Sequence, residues 1–179
     1  RGAPNSTGNA WEIEDGVPSS VTAELLGAAT RLTDGGSVSV VLLGSATAGA
    51  TDAAFAAGAD RAFTSADAAY DEFQPDQWLA AAQAAVEQAS PALVLMPQNS
   101  MGRDTAPRLA FRLETAAAMD CVAVEAAGDG FHATRSCYGG NAQATYSFAT
   151  APAIATVRAK TQEPLASPRE GGGETVDLG

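Results

Sequence analysis

Few side chains in this sequence have the type and spacing that acid–base, nucleophilic or metal chemistry requires. The one histidine, His132, has no serine or cysteine at a motif spacing, so a structural role is the simpler interpretation. Asp120 and Glu125 lie five apart on one predicted strand and face opposite sides, so they form no carboxylate pair. Cys121 and Cys137 lack zinc-ligand spacing, so we predict free thiols, no metal site and no catalytic residue.

A first candidate binding site is the polar stretch at residues 98–103. It follows an apolar run and precedes a helical segment, so it lies at the carboxyl end of a predicted strand, where α/β sheets meet their ligands. Its amides could hold an anion. Asp104 is equally well placed to cap the same helix, because Pro107 suits a first helical turn, and its carboxylate would repel an anion.

A second candidate site surrounds two adjacent glycines, Gly139 and Gly140, in a strand-like region. Paired glycines in a strand indicate a bulge or the close approach of another backbone. Arg135, Tyr138 and Asn141 around such a break suit a protein interface or the edge of a flavin. The alternative is a purely structural bulge.

Apolar periodicity predicts strands that alternate with helices over the first two thirds of the chain. Residues 38–43 and 92–96 are apolar on both faces, which indicates strands buried within a parallel sheet. Beyond residue 119 the pattern is that of strands alone, with a hairpin signal at Gly128. We therefore predict an α/β protein whose parallel sheet is extended by an antiparallel patch.

Composition and charge limit the class of protein and divide the chain. The 179 residues suffice for one domain, and the net charge of −11 argues against a nucleic-acid partner. No apolar run approaches the roughly 20 residues that span a membrane. We predict a flexible N-terminal segment at 1–9, a domain at 10–160, and a flexible linker or tail, rich in proline, serine, glutamate and glycine, at 161–179.

Two stretches of the chain form extended motifs. Residues 102–113 have the pattern Gly-Arg-Asp-x-Ala-Pro-Arg-Leu-Ala-x-Arg-Leu. Residues 133–145 have the pattern Ala-Thr-Arg-x-x-Tyr-Gly-Gly-Asn-Ala-x-Ala-Thr. Both motifs resemble signatures of the electron transfer flavoprotein alpha subunit. Residues 24–29 and 155–159 agree in order and spacing, so the resemblance covers roughly residues 11–160.

The resemblance implies the N-terminal domain of that subunit, which has a Rossmann-like three-layer α/β/α fold of the adenine nucleotide alpha hydrolase type. In the family this domain is a scaffold that packs on a beta subunit and supports a separate FAD domain. FAD then carries electrons from acyl-CoA or other flavin dehydrogenases to a quinone reductase or a similar acceptor. The motifs of the FAD domain are absent from this chain, so residues 161–179 would lead toward it.

The same resemblance implies roles for the second candidate site. In the family the beta subunit holds AMP or a second FAD, and in bifurcating relatives the arginine of the second motif lies toward that flavin. Arg135 is therefore the leading functional residue, because a guanidinium near a flavin stabilises its reduced, anionic states. Tyr138, Gly139, Gly140 and Asn141 would shape the same interface. The protein would be an electron carrier subunit without catalytic side chains, in the prokaryotic cytoplasm or the mitochondrial matrix.

Two other classes of protein share this superfold. A stand-alone nucleotide-binding module of the universal-stress-protein type would need a glycine-rich loop where residues 98–103 contain one glycine. An enzyme of the adenine nucleotide alpha hydrolase group would need a Ser-Gly-Gly-x-Asp-Ser-type loop in place of residues 15–20. Residues 44–49 resemble a phosphate loop superficially but lack the Walker A lysine, which favours an ordinary strand-to-helix loop.

Overall fold

The computed structural model describes residues 6–8, 13–14, 17–33, 35–128 and 130–179. In chain order the elements are β1 (Ser6–Gly8), β2 (Ile13–Glu14), β3 (Val17–Pro18), α1 (Ser20–Leu32), β4 (Val38–Leu43), α2 (Thr47–Ala56), β5 (Arg61–Ser65), α3 (Pro75–Ala89), β6 (Leu93–Pro97), α4 (Ser100–Arg112), β7 (Ala117–Ala127), β8 (Gly130–Cys137), β9 (Ala142–Ser147), β10 (Ala153–Val157) and β11 (Glu174–Asp177). None of the helices in these ranges combines the length and the apolar character that a membrane crossing requires.

Nine of the described strands form one sheet in the order β11-β5-β4-β1-β6-β10-β7-β8-β9. Neighbours from β11 to β7 are parallel, whereas β7, β8 and β9 pair in antiparallel fashion. The predicted fold class, a mostly parallel sheet with an antiparallel extension, is therefore confirmed.

Helices cover both faces of the parallel part of the sheet and give the molecule three layers. On one face, Leu26 of α1 and Phe55 of α2 belong to a core with alternate residues of β4 and β6. On the other face, Leu79 of α3 and Leu109 of α4 pack against the remaining residues of those strands. Because β4 and β6 are buried at every position, their sequences are apolar throughout except at Ser39.

Helix α4 begins earlier than the sequence predicts. Asn99, not Asp104, is the N-cap, and its side-chain oxygen accepts from the Gly102 amide at 2.9 Å. Asp104 and Pro107 lie further inside the helix, with Pro107 on the exposed surface. A Cβ atom on Gly102 would lie 1.9 Å from the carbonyl oxygen of Pro97, so glycine lets the helix start directly after β6.

Two segments that the sequence predicts to be flexible contain strands. Within residues 1–9, the backbone of β1 pairs with β4 and β6 near the middle of the sheet; residues 1–5 and 9 lie outside the described ranges. Within residues 161–179, β11 pairs with β5 at the edge of the sheet. In the segment that precedes β11, Nη2 of Arg169 donates to Oδ1 of Asp60 at 2.7 Å. Apolar patterning misses both strands because backbone pairing needs no large apolar side chains.

Candidate functional site

The candidate site lies where β7 and β8 depart from the parallel sheet. β7 contains an extra residue between its pairings with Ala155 and Val157 of β10, and the register shifts again on the side of β8. Asp120 lies at the first irregularity with φ of +61°, a left-handed conformation that is uncommon for a residue other than glycine. Its carboxylate reaches Arg158, which directly follows β10.

Asp120 and Arg158 form a bidentate ion pair. Nη2 of Arg158 lies 2.7 Å from Oδ2 of Asp120, and Nε lies 3.1 Å from Oδ1. These hydrogen bonds lower the pKa of the Asp120 carboxyl and raise the pKa of Arg158. The backbone also holds the pair, because the Asp120 amide donates to Thr156 Oγ1 and the Arg158 amide donates to the Cys121 carbonyl, both at 2.8 Å.

Arg135 is the arginine of the site that has no ion-pair partner among the described residues. It lies on β8 opposite Cys121, and its Nε atom is buried without a hydrogen-bond acceptor in the part of the chain that the structure describes. A buried donor without an acceptor costs free energy, so an acceptor that a ligand or partner supplied to this atom would be stabilising.

Two grooves meet at Arg135. The polar groove, of about 570 Å³, is lined by Asp120, Arg135, Ser136, Cys137, Tyr138, Gly139, Gly140 and Arg158. The apolar groove, of about 220 Å³, is lined by Arg135 together with Met119, Tyr146, Phe148 and small residues. This combination suits a planar group that is apolar over its face and anionic at one edge.

The turn at Tyr138–Gly140 forms one wall of the polar groove. Three successive residues, Tyr138, Gly139 and Gly140, have positive φ angles of 51°, 66° and 94°. The turn joins β8 to β9, so the predicted bulge within a strand is wrong, whereas the close approach of a partner's backbone stays a prediction. Apart from the chain neighbours, no described atom lies within 4 Å of a Cβ built on either glycine. Nδ2 of Asn141 closes the turn by donating to the Tyr138 carbonyl at 3.0 Å, and Tyr138 itself is 86% exposed.

The other residues with reactive side chains form no catalytic cluster with Arg135. Cys121 and Cys137 are both free, and burial raises the pKa of the Cys121 thiol to about 11, so that thiol is neutral at physiological pH. His132 is exposed on β8, where it pairs in register with Ser147 of β9. Within the described ranges, no group of three histidine, cysteine or acidic side chains is arranged to hold a metal ion.

The loop after β4 and the first turn of α4 line a different crevice, of about 250 Å³, away from Arg135. In the loop after β4, the amide and hydroxyl groups of Ser45 donate to the Asp71 carboxylate at 2.7 and 2.9 Å. Asp71 therefore occupies donors that a phosphate group would use in this loop. In the loop after β6, Gln98 Oε1 accepts from Thr156, so this side chain supports the Asp120 region.

Four residues that line the polar groove are not predicted as site residues from the sequence: Asp120, Ser136, Cys137 and Arg158. Arg158 lies in the matching segment 155–159, and Asp120 interrupts an apolar strand, so each leaves a weak signal. Their pairing is invisible in the sequence because they are 38 residues apart.

The fold defines a class: a Rossmann-like α/β protein whose parallel sheet continues into an antiparallel extension at β7 to β9. A family model described as electron transfer flavoprotein domain matches residues 11–178. The chain belongs to the electron transfer flavoprotein family.

Curated relatives are named as alpha-type proteins of this family or as FixB. Electron transfer flavoprotein subunit alpha of Bacillus subtilis (strain 168) is 30% identical over 131 residues, 73% of this chain and 40% of that protein. Protein FixB of Bradyrhizobium diazoefficiens is 30% identical over 154 residues, 82% of this chain and 42% of that protein. The alpha subunit of Syntrophomonas wolfei is 31% identical over 148 residues, 82% of this chain and 46% of that protein.

These matches confirm the resemblance to the N-terminal domain of the alpha subunit, at modest identity. The chain spans less than half the length of the curated relatives it matches.

Proposed function

We propose that this chain is the scaffold domain of an electron transfer flavoprotein alpha-type subunit. It packs on a beta subunit and supports FAD-mediated transfer of electrons from acyl-CoA or other flavin dehydrogenases to a quinone reductase or a similar acceptor. The match over residues 11–178 and the names of the alpha-type relatives support this proposal. Its location is the prokaryotic cytoplasm, or the mitochondrial matrix in a eukaryotic source.

In this proposal the chain shares its cofactors with other domains. Residues 161–179 lead toward the domain that holds most of the FAD, and the beta subunit holds AMP or a second FAD. In this role none of the described side chains serves as a catalytic acid, base or nucleophile, and the chain contributes electrostatics and an interface.

The buried Nε of Arg135, without an acceptor among the described residues, is the observation that carries the proposal at the level of the site. A bound flavin supplies reversible electron uptake, and its reduced form carries negative charge. Arg135 lies between the polar groove and the apolar groove. This position suits a contact with the edge of a planar flavin ring. Its guanidinium would stabilise the negative charge because the site is partly shielded from water.

Tyr138 is proposed to contact the beta subunit. An aromatic side chain that is 86% exposed is well suited to bury area at an interface, where tyrosine is enriched. Gly139, Gly140 and Asn141 maintain the turn that projects it. The positive φ angle of Tyr138 adds a strained conformation, which is typical of binding sites.

Coexpression with the beta subunit of the same source tests the proposal. We expect Tyr138→Ala to weaken the complex by about tenfold or more, and Arg135→Gln to lower the flavin content of the complex with a smaller effect on assembly. Phe111→Ala is the matched control, because Phe111 is 84% exposed on α4, outside both grooves. A complex that none of these substitutions affects, or that Phe111→Ala weakens equally, would contradict the assigned site.

The alternative function is a stand-alone nucleotide-binding module of the universal-stress-protein type, which would use the crevice of about 250 Å³ between the β4 loop and the start of α4. The Asp71 carboxylate opposes it, because it holds the Ser45 donors and would repel a phosphate. We therefore expect ATP to leave the melting temperature of the isolated chain unchanged, whereas a rise that grows with ATP concentration would favour the module.

A further inference from the structure

We propose that Asp120 is a positioning residue that sets the charge of the polar groove: it neutralises Arg158 and leaves Arg135 as the guanidinium available to an anion. This inference rests on the proposed function, since it concerns the same groove. In this inference the Asp120 carboxylate is a counter-charge that limits how tightly the groove binds a negatively charged group.

The charges around the groove support this assignment. Among the described lining residues, two carry guanidinium groups, Arg135 and Arg158, and Asp120 is the only carboxylate. Arg103, in the first turns of α4, and Arg135 both act on Asp120 through space and favour its ionised form. The groove therefore has a positive balance in a chain whose net charge is −11.

Of these arginines, Asp120 forms hydrogen bonds with Arg158 alone among the described contacts. Both of its carboxylate oxygens bond Arg158, and its own amide is held by Thr156 Oγ1. The carboxylate does not satisfy Arg135, whose Nε has no acceptor in the described structure. An incoming anion therefore meets one satisfied guanidinium and one that lacks a partner.

Removal of the Asp120 charge should consequently strengthen anion binding, which is the opposite of what a purely structural role predicts. Asp120→Asn is the appropriate variant, because asparagine tolerates a positive φ better than most residues and keeps the shape of the side chain. The amide of this variant has one oxygen in place of two, so it could accept from only one side of the Arg158 guanidinium. The second guanidinium of the groove would then become available to the anion.

The test is a titration of the ¹⁵N-labelled chain with inorganic pyrophosphate, followed through the arginine Nε–H signals. We expect Asp120→Asn to bind about three- to tenfold more tightly than the wild type, with the signals of both Arg135 and Arg158 shifting. In the wild type we expect the Arg135 signal to shift most. Arg135→Gln should lose most of the binding in either background.

Glu174→Gln is the matched control, because it removes one negative charge from an ion pair with Arg61 at the opposite edge of the sheet. Its affinity for pyrophosphate should equal that of the wild type. The inference is overturned if Asp120→Asn binds no more tightly, if Glu174→Gln gains as much, or if no variant binds. Binding that depends on Arg135 without a gain from Asp120→Asn would overturn this inference alone, whereas indifference to Arg135→Gln would also remove Arg135 from the proposed function.

Discussion

At the scale of single residues, two arginines of one groove differ in their partners. Arg158 is satisfied by Asp120, whereas the buried Nε of Arg135 has no acceptor among the described residues. The family motif identifies Arg135 from the sequence, because the residues around it stand at fixed spacing. The sequence does not identify the pairing of Asp120 with Arg158, because the fold alone brings together residues on β7 and directly after β10.

The Asp120 ion pair should make stability depend on pH. Because Arg158 lowers the pKa of Asp120 in the folded protein, the pair stabilises the fold above the unfolded pKa of about 3.9, and this contribution is lost as pH falls through the lowered value. We expect Asp120→Asn to have a lower free energy of unfolding than the wild type at pH 7, and the deficit to shrink on acidification. Urea unfolding at several pH values measures it, and a deficit that stays constant down to the lowest pH at which the protein folds would contradict the account.

At the scale of elements, the contact between β6 and α4 depends on one glycine. A side chain at Gly102 would collide with the Pro97 carbonyl, so we expect Gly102→Ala to shift the start of α4 and to destabilise the protein by about 1–3 kcal/mol. Thermal or urea unfolding measures this loss. Gly172→Ala is the control, since no described atom lies within 4 Å of its Cβ position and its φ is not positive. Equal stability of the two variants would show that α4 does not need the close approach.

The hydrogen bonds of the edge strand β11 lead to a second prediction at the scale of elements. The Glu174 amide donates to the Asp60 carbonyl at 2.9 Å, and the Leu178 amide donates to the Thr64 carbonyl at 2.8 Å. Hydrogen exchange at both amides should therefore be at least about tenfold slower than in an unstructured peptide. Exchange of both amides at the rate of an unstructured peptide would contradict this pairing and would favour the flexible tail that the composition of residues 161–179 predicts.

Local patterns predict the elements whose sequences are constrained locally. The buried strands β4 and β6 are apolar runs interrupted only by Ser39, and Ser19 is a favourable N-cap residue that caps α1 by accepting from the Thr22 amide. Patterns fail where a distant partner decides the structure. β10 inserts between β6 and β7, and β1 pairs between β4 and β6, through backbone bonds that no periodicity encodes.

At the scale of the whole molecule, the two ends of the sheet differ. Helices α1 to α4 cover the parallel part on both faces, whereas five of the six residues of β9 are exposed at the end of the antiparallel extension. Tyr138 and the Arg135 groove lie at this uncovered end. A partner subunit that packs against the extension would therefore reach both the turn and the groove.

The most direct test of the central claim is the native mass of the protein as purified from its source, together with its visible absorption spectrum. The account predicts a mass well above the 18.0 kDa of this chain, a tightly held partner and the absorption bands of a flavin. A colourless 18.0 kDa chain without a partner would contradict it, and Arg135 would lose its proposed role.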